Sequence, residues 1–164
     1  MHSDRCYAAA PHRLLRQVVL QKIVHMKIEV KYDCQNIDWE KVSEILKSVG
    51  MTYYSPEKHK AAFESSYCTI FLYDEDRLVG FGRAISDRAY QAAVYDCAVV
   101  EEYQGHGFGK LIMQEILSKL PACNIILYAS PGKEAFYEKQ GFKRMKTGMA
   151  CFINREHMAK RGFT

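Results

Sequence analysis

Apolar residues alternate with charged ones at Ile28, Val30 and Tyr32, which predicts a half-buried strand over 27–32. Other apolar runs are bounded by turn residues, as in Asp74-Glu75-Asp76, and predict further strands. These strands cover residues 69–73, 78–85, 92–100, 124–129, 142–145 and 148–153.

Four segments have the apolar spacing of helices instead, at 39–48, 56–65, 108–120 and 131–140. Asp38 can cap the first of them, and Gly50 ends it. Ser55-Pro56 places an N-cap before a proline at the first helical position. The resulting order, βααβββαβαββ, predicts an α+β fold.

Composition allows one ordinary globular domain, because the chain has 164 residues of which 48% are hydrophobic. No run of 18 apolar residues occurs, so we expect no membrane partner. The net charge of +4 lies mostly in the first 25 residues. The rest of the chain is nearly neutral, which argues against a nucleic-acid partner.

Residues 1–25 are arginine-bearing, poor in acidic residues and partly apolar. A transit peptide has the same composition. The favoured alternative is an N-terminal extension before an original start at Met26, which directly precedes the first predicted strand. We therefore divide the chain into an extension, 1–25, and a domain, 26–164.

The six cysteines, at positions 6, 34, 68, 97, 123 and 151, form no C-x-x-C pair. Their spacing fits neither a zinc site nor the disulfide framework of a small secreted domain. We expect buried free thiols in a reducing cytoplasm, and no metal.

The segment from Asp96 to Lys110 predicts a strand, a loop with glycines at 105, 107 and 109, and then a helix. Converging loop amides and the start of a helix together favour a phosphate or pyrophosphate. The spacing fails the Walker A pattern, because Gln104 stands at its first glycine and Leu111 follows the lysine. It also fails the dinucleotide fingerprint, because Lys110 replaces the third glycine.

Gln104-x-x-Gly107-x-Gly109 resembles the pyrophosphate loop of the GNAT superfamily of acyl-CoA N-acyltransferases. Residues 134–142, EAFYEKQGF, resemble a second block of that superfamily, in the right order and at the right separation. The resemblance implies a mixed, mostly antiparallel sheet with splayed fourth and fifth strands and helices on both faces. It also implies acetyl-CoA as co-substrate, bound by Cys97, Ala98, Val99, Gln104, Gly105, His106, Gly107, Phe108, Gly109, Lys110 and Phe136. The ring of His106 is expected to face solvent between its two glycines.

Tyr137 aligns with the superfamily's general acid, although taken alone it is also typical of a core aromatic residue. Asp96 is the candidate base for the amine, with Glu101 and Glu102 as alternatives. Tyr53, Tyr54 and Arg83 are candidate acceptor-binding residues. Ser130 stands where an asparagine is frequent in the superfamily, so it is not counted among the expected CoA-binding residues.

The expected function is acetyl transfer from acetyl-CoA to a primary amine of a small molecule, by direct attack in a ternary complex. A protein lysine or N-terminal acetyltransferase and a non-catalytic CoA-binding regulator are the alternatives. The sequence identifies neither the acceptor nor the oligomeric state, and it allows a homodimer.

Overall fold

The computed structural model describes residues 26–164, and the predicted extension 1–25 lies outside the described residues. One five-stranded sheet runs in the order β1 to β5. The first four strands pair antiparallel with their neighbours, and β4 pairs parallel with β5. Their bounds are Ile28–Lys31 for β1, Cys68–Asp74 for β2, Arg77–Ser86 for β3, Gln91–Val99 for β4 and Asn124–Ile126 for β5. The predicted mixed, mostly antiparallel sheet is confirmed.

Five α-helices connect or follow these strands in the described residues: α1 at Trp39–Ser48, α2 at Pro56–Glu64, α3 at Phe108–Ser118, α4 at Glu134–Glu138 and α5 at Arg155–Lys160. The Asp38 carboxylate caps α1 by accepting from the amide of Lys41. Gly50, with φ of 73°, follows the end of that helix. The capping signals read from the sequence therefore place α1 correctly.

Helices cover both faces of the sheet, because successive side chains of a strand point to opposite sides. Ile70 and Leu72 of β2 pack in one cluster with Ile112 and Ile116 of α3. Phe71, between them, packs on the other face in a cluster with residues of α1 and α2, which include Val42, Leu46 and Phe63. The two clusters hold the sheet rigidly between its helices.

The two strands predicted over 142–145 and 148–153 are wrong. Residues 139–154 form neither helix nor strand, and α5, which the apolar pattern did not indicate, follows them. Met149 and Ile153 are fully exposed, at 99% and 107%, so their apolar side chains have no buried face to hold a strand against the sheet. β5 also ends three residues early, and α4 is a shorter helix than predicted.

No helix among residues 26–164 is long and apolar enough to cross a membrane.

Candidate active site

β4 and β5 separate along their length, and the separation creates a cavity. Their pairing begins at Gln91 with Asn124 and ends at Ala93 with Ile126, whereas β4 continues to Val99. A cavity of roughly 870 Å³ lies where the strands diverge, lined by residues 94–99 of β4 and by Leu127 and Tyr128, which follow β5. Residues 94–99 therefore present one backbone edge toward this cleft, which confirms the predicted splay.

A β-bulge in β4 sets the direction of the strand at the cleft. Phe81 pairs with Ala98 but Arg83 pairs with Tyr95, so β4 has one residue more than β3 between these pairs. Asp96 lies in that interval and has φ of 52°, which is uncommon for any residue other than glycine but is tolerated by aspartate. The bulge brings Asp96 to the cavity lining.

Asp96 is held by an ion pair behind the cleft. Arg83 donates from Nε to its Oδ2 at 2.5 Å and from Nη1 to the hydroxyl of Ser66 at 3.2 Å. The side chains of Arg83 and Asp96 are only 15% and 22% exposed. Arg83 thus neutralises and orients the carboxylate of Asp96, a residue that lines the cavity.

The glycine loop closes one end of the cleft. Gly105 and Gly107 have φ of 79° and 88°, and Gly107 is the N-cap of α3. A Cβ at either glycine would meet no atom of residues 26–164 within 4 Å, apart from the glycine's chain neighbours, so the outer face of the loop is open to an incoming group. The first amides of α3 have no partner within the helix and add to the anion-binding character of this end.

Gln104 and Gly109 stabilise the position of this loop and of the helix that follows it. The Gln104 side-chain amide donates to the carbonyl of Val99 at 2.9 Å, which ties the loop to the end of β4. A Cβ at Gly109 would lie 3.3 Å from Cζ of Phe136, so glycine at this position lets the Phe136 ring pack against the helix. Packing of Phe136 in turn fixes its neighbour, Tyr137, whose ring lies 5.0 Å away in a T-shaped arrangement.

Tyr137 lines the cavity from α4, opposite β4. Burial, with a smaller contribution from Cys97, raises the pKa of its phenol well above the usual value of 10.0. The hydroxyl is therefore protonated throughout the neutral range, as a proton donor must be.

Cys97 also lines the cavity, but its thiol is unsuited to nucleophilic attack. Its Sγ lies 3.8 Å from Sδ of Met113, a core residue of α3. Burial raises the pKa of the Cys97 thiol to about 12, so almost none of the reactive thiolate exists at neutral pH.

The other end of the cleft is aromatic. Tyr128 makes T-shaped contacts with three rings, at centroid distances of 5.9 Å to Tyr95, 5.9 Å to Phe152 and 5.6 Å to Phe163. We call these four residues the aromatic cluster. Its members Tyr95, Tyr128 and Phe163 line the cavity.

The C-terminal residues complete this end of the cavity, although no motif in the sequence indicated them. Arg161 donates from Nη1 to the hydroxyl of Thr52 at 2.5 Å and from Nη2 to the carbonyl of Gly50 at 2.8 Å. Met158, Arg161 and Phe163 all line the cavity. Contacts that join residues more than 100 positions apart leave no local pattern by which sequence reasoning could find them.

Most of the predicted site residues meet at this cavity: Asp96, Cys97, Ala98, Val99, Gln104, Gly105, Gly107, Gly109, Lys110, Phe136 and Tyr137. His106, Phe108, Tyr53, Tyr54 and Arg83 do not line it. Met51 and Thr52, which directly precede Tyr53 and Tyr54, line the cavity, whereas the two tyrosines are largely exposed.

The ring of His106 was expected to face solvent, but it is partly buried. Its Nδ1 is buried and has no hydrogen-bond partner among the described residues. Phe108 lies beside it, at a centroid distance of 6.3 Å. No group of three or more potential metal ligands occurs in the described part of the chain.

Comparisons with known proteins agree with this geometry. The family model of the acetyltransferase (GNAT) domain matches residues 35–151. The "uncharacterized N-acetyltransferase ycf52-like" of Prochlorococcus marinus is 32% identical over 124 residues, which cover 71% of this chain and 69% of that protein. The crystal structure of a "probable acetyltransferase" from meticillin-resistant Staphylococcus aureus superposes with a TM-score of 0.71 at 28% identity, covering 77% of this chain and 98% of that one.

Other relatives carry names for different acceptors. "Serotonin N-acetyltransferase 2, chloroplastic" of rice, Oryza sativa subsp. japonica, is 29% identical over 79% of this chain and 70% of its own length. "Histone acetyltransferase TAP1" of Glycine max is 28% identical over 70% of this chain and 55% of its own length. The names of relatives therefore include both a small amine and a protein.

Proposed function

The chain belongs to the GNAT family of acyl-CoA-dependent N-acetyltransferases, and on that premise we propose that it transfers acetyl from acetyl-CoA to the primary amine of a small molecule. The observation that carries this proposal is the cleft between β4 and β5. It has the glycine loop, suited to anion binding, at one end and the aromatic cluster at the other. The carboxylate of Asp96, paired with Arg83, lies between them at the bulge.

The residues present fit CoA. The open outer face of Gly105 and Gly107 and the first amides of α3 would receive the pyrophosphate. The free edge of β4 from Cys97 to Val99 would pair with the pantetheine arm, which carries amide groups. Lys110 and Lys133 also line the cavity and supply positive charge for the phosphates.

The transfer needs one proton donor and one proton acceptor. The amine nitrogen attacks the thioester carbonyl carbon, and the carbonyl oxygen takes up negative charge, which a backbone N–H of β4 would stabilise. As the carbon–sulfur bond breaks, the Tyr137 hydroxyl gives its proton to the departing thiolate. Its raised pKa makes it a weak acid, but burial raises the pKa of thiols in the same region too, as Cys97 illustrates.

Asp96 is our candidate for the amine side of the reaction. An alkylammonium ion must lose a proton before its nitrogen can attack, and the carboxylate at the bulge faces the cavity where the amine would enter. Arg83 keeps this carboxylate fixed, so it can bind the ammonium group and pass its proton to water.

The aromatic cluster favours an arylalkylamine as acceptor. Tyr95, Tyr128 and Phe163 present ring surfaces to the cavity, and Asp96 lies next in sequence to Tyr95. Aromatic faces also attract ammonium ions by cation–π interaction. The name of the rice relative points to an acceptor of this class.

Two alternatives remain in view. The name of the soybean relative favours a protein acceptor, such as a lysine side chain. The N-terminal amine of a protein is the other acceptor of this class. A non-catalytic CoA-binding regulator would keep the glycine loop without turnover.

Two compartments are in question. The free cysteines favour the cytoplasm, whereas the rice relative is named as chloroplastic. Import of a reporter fused behind residues 1–25 into isolated chloroplasts would favour the plastid, and its exclusion would favour the cytoplasm.

Release of CoA thiol from acetyl-CoA, measured over a panel of amines and a lysine peptide, tests the proposal. We expect amine-dependent release that is greatest with arylalkylamines. Tight CoA binding without release with any acceptor would identify a regulator, and release with the peptide alone would identify a protein acetyltransferase.

A further inference from the structure

The C-terminal segment, residues 154–163, crosses the acceptor end of the cleft. Met158, Arg161 and Phe163 of this segment line the cavity. The match to the family model ends at residue 151, before this segment begins.

Arg161 joins the segment to one side of the cleft. Its guanidinium bonds to the hydroxyl of Thr52 and to the carbonyl of Gly50, in the loop between α1 and α2. This loop follows the C-terminal end of α1, where the helix dipole favours a cation. Both partners line the cavity, so the bonds lie at its edge.

Packing joins the segment to the opposite side of the cleft. The ring of Phe163 contacts that of Tyr128, which follows β5, at a centroid distance of 5.6 Å. Gly162 lies beside Pro131, since a Cβ at Gly162 would be in ordinary van der Waals contact with the proline Cγ, at 3.6 Å. Met158 is buried. The segment thus spans the cleft from the α1–α2 loop to the residues that precede α4.

A bridge over the mouth of the cleft determines which acceptors can enter. A small amine needs only the enclosed aromatic space, whereas a polypeptide must lie across both sides of the cleft to present a lysine. We propose that Arg161 is a specificity-determining residue, whose guanidinium latches the C-terminal segment across the cleft and excludes polypeptide acceptors. This proposal rests on the proposed function and specifies the acceptor class of the same site.

Replacement of Arg161 by Ala removes both bonds, and Thr52→Val removes the hydroxyl partner while it keeps the arginine. Lys160→Ala is the matched control, because it deletes a neighbouring exposed cation of the same segment. For each variant, kcat/KM is measured with 2-phenylethylamine and with a short lysine peptide. We expect the ratio of amine to peptide to fall at least tenfold in Arg161→Ala, less in Thr52→Val, and not in Lys160→Ala.

Two measurements without turnover accompany the kinetics. Hydrogen exchange at the amides of Arg161, Gly162 and Phe163, which bond to carbonyls of α5, should accelerate in Arg161→Ala. A fluorescent lysine peptide should bind the CoA-loaded Arg161→Ala protein and not the wild type.

An unchanged amine-to-peptide ratio in Arg161→Ala, despite accelerated exchange, would overturn the latch. Equal peptide binding by the wild type and Arg161→Ala would also overturn it. If the wild type acetylates no acceptor, the proposed function fails on its own, and peptide binding still decides whether Arg161 closes the cleft.

Discussion

Tyr137 is the residue whose chemistry can be tested most cleanly. Tyr137→Phe removes the hydroxyl and keeps the ring that packs on Phe136. We expect kcat to fall by roughly 10²–10⁴-fold, as for other general acids, with little change in CoA affinity. Tyr90→Phe, at an exposed tyrosine outside the cavity lining, should have normal kcat. Near-normal turnover in Tyr137→Phe would return Tyr137 to a packing role.

The pH dependence of the reaction should report the same phenol. Its protonated form is the active one, so activity is lost as pH rises through its pKa. Because burial raises that pKa, we expect the alkaline limb of kcat to lie above pH 10.0, the usual value for tyrosine. An alkaline limb well below pH 10.0 that persists in Tyr137→Phe would assign the limb to another group.

Asp96 combines a proposed role in the reaction with a role in stability. Asp96→Asn should lower kcat/KM for the amine roughly 10²-fold or more. It should also lower the free energy of unfolding by about 1 kcal/mol, since Arg83 loses its charged partner at a partly exposed site. Arg83→Gln breaks the same pair but keeps the carboxylate, so its stability should fall similarly and its activity less. Equal losses of activity in both variants would limit Asp96 to a structural role.

The glycine loop is the element on which CoA binding depends. Gly107→Ala places a Cβ on the open face of the loop, at a backbone with φ of 88°. Gly141→Ala is a matched control, because Gly141 has φ of 92°, equally open surroundings and no place in the cavity lining. Both variants should lose about 1–2 kcal/mol of stability from backbone strain.

Only Gly107→Ala should weaken CoA binding, by about tenfold or more, which corresponds to one lost charged hydrogen bond of about 1.5 kcal/mol. Calorimetry with CoA measures the difference between the two variants. Equal CoA affinities in Gly107→Ala and Gly141→Ala would show that the pyrophosphate does not bind at this loop.

Elements with strong local signals were predictable from the sequence. The strand, loop and helix from Asp96 to Lys110 carry their own glycines and apolar stripe, and the caps at Asp38 and Ser55 mark where α1 and α2 begin. The strands predicted near the C-terminus failed because a short apolar run forms a strand only where an edge accepts it, and pairing is a tertiary property.

The candidate site was predictable to the extent that its residues lie in the two motif blocks. Arg83 was expected to contact the acceptor, but the structure places it behind Asp96 as its partner. Thr52 and Arg161 were missed, because their contact depends on how the whole chain folds. The bulge at Asp96 was missed as well, since it appears only in the register with β3.

At the scale of the whole molecule, the domain should be independent of residues 1–25. Residues 26–164 form buried clusters on both faces of the sheet and line the cleft. A chain that begins at Met26 should therefore melt within a few degrees of the full chain and bind CoA equally well. A large fall in melting temperature with loss of CoA binding would make the extension part of the core.

We propose above all that the cleft holds acetyl-CoA and a small amine together and transfers acetyl directly between them. Initial rates of the wild-type protein, measured while both substrates vary and with the N-acetylated amine quantified beside the released thiol, test it most directly. We predict double-reciprocal lines that intersect and product in equal amount to thiol. Parallel lines with acetyl retained on the protein, or thiol release without acetylated amine, would contradict it.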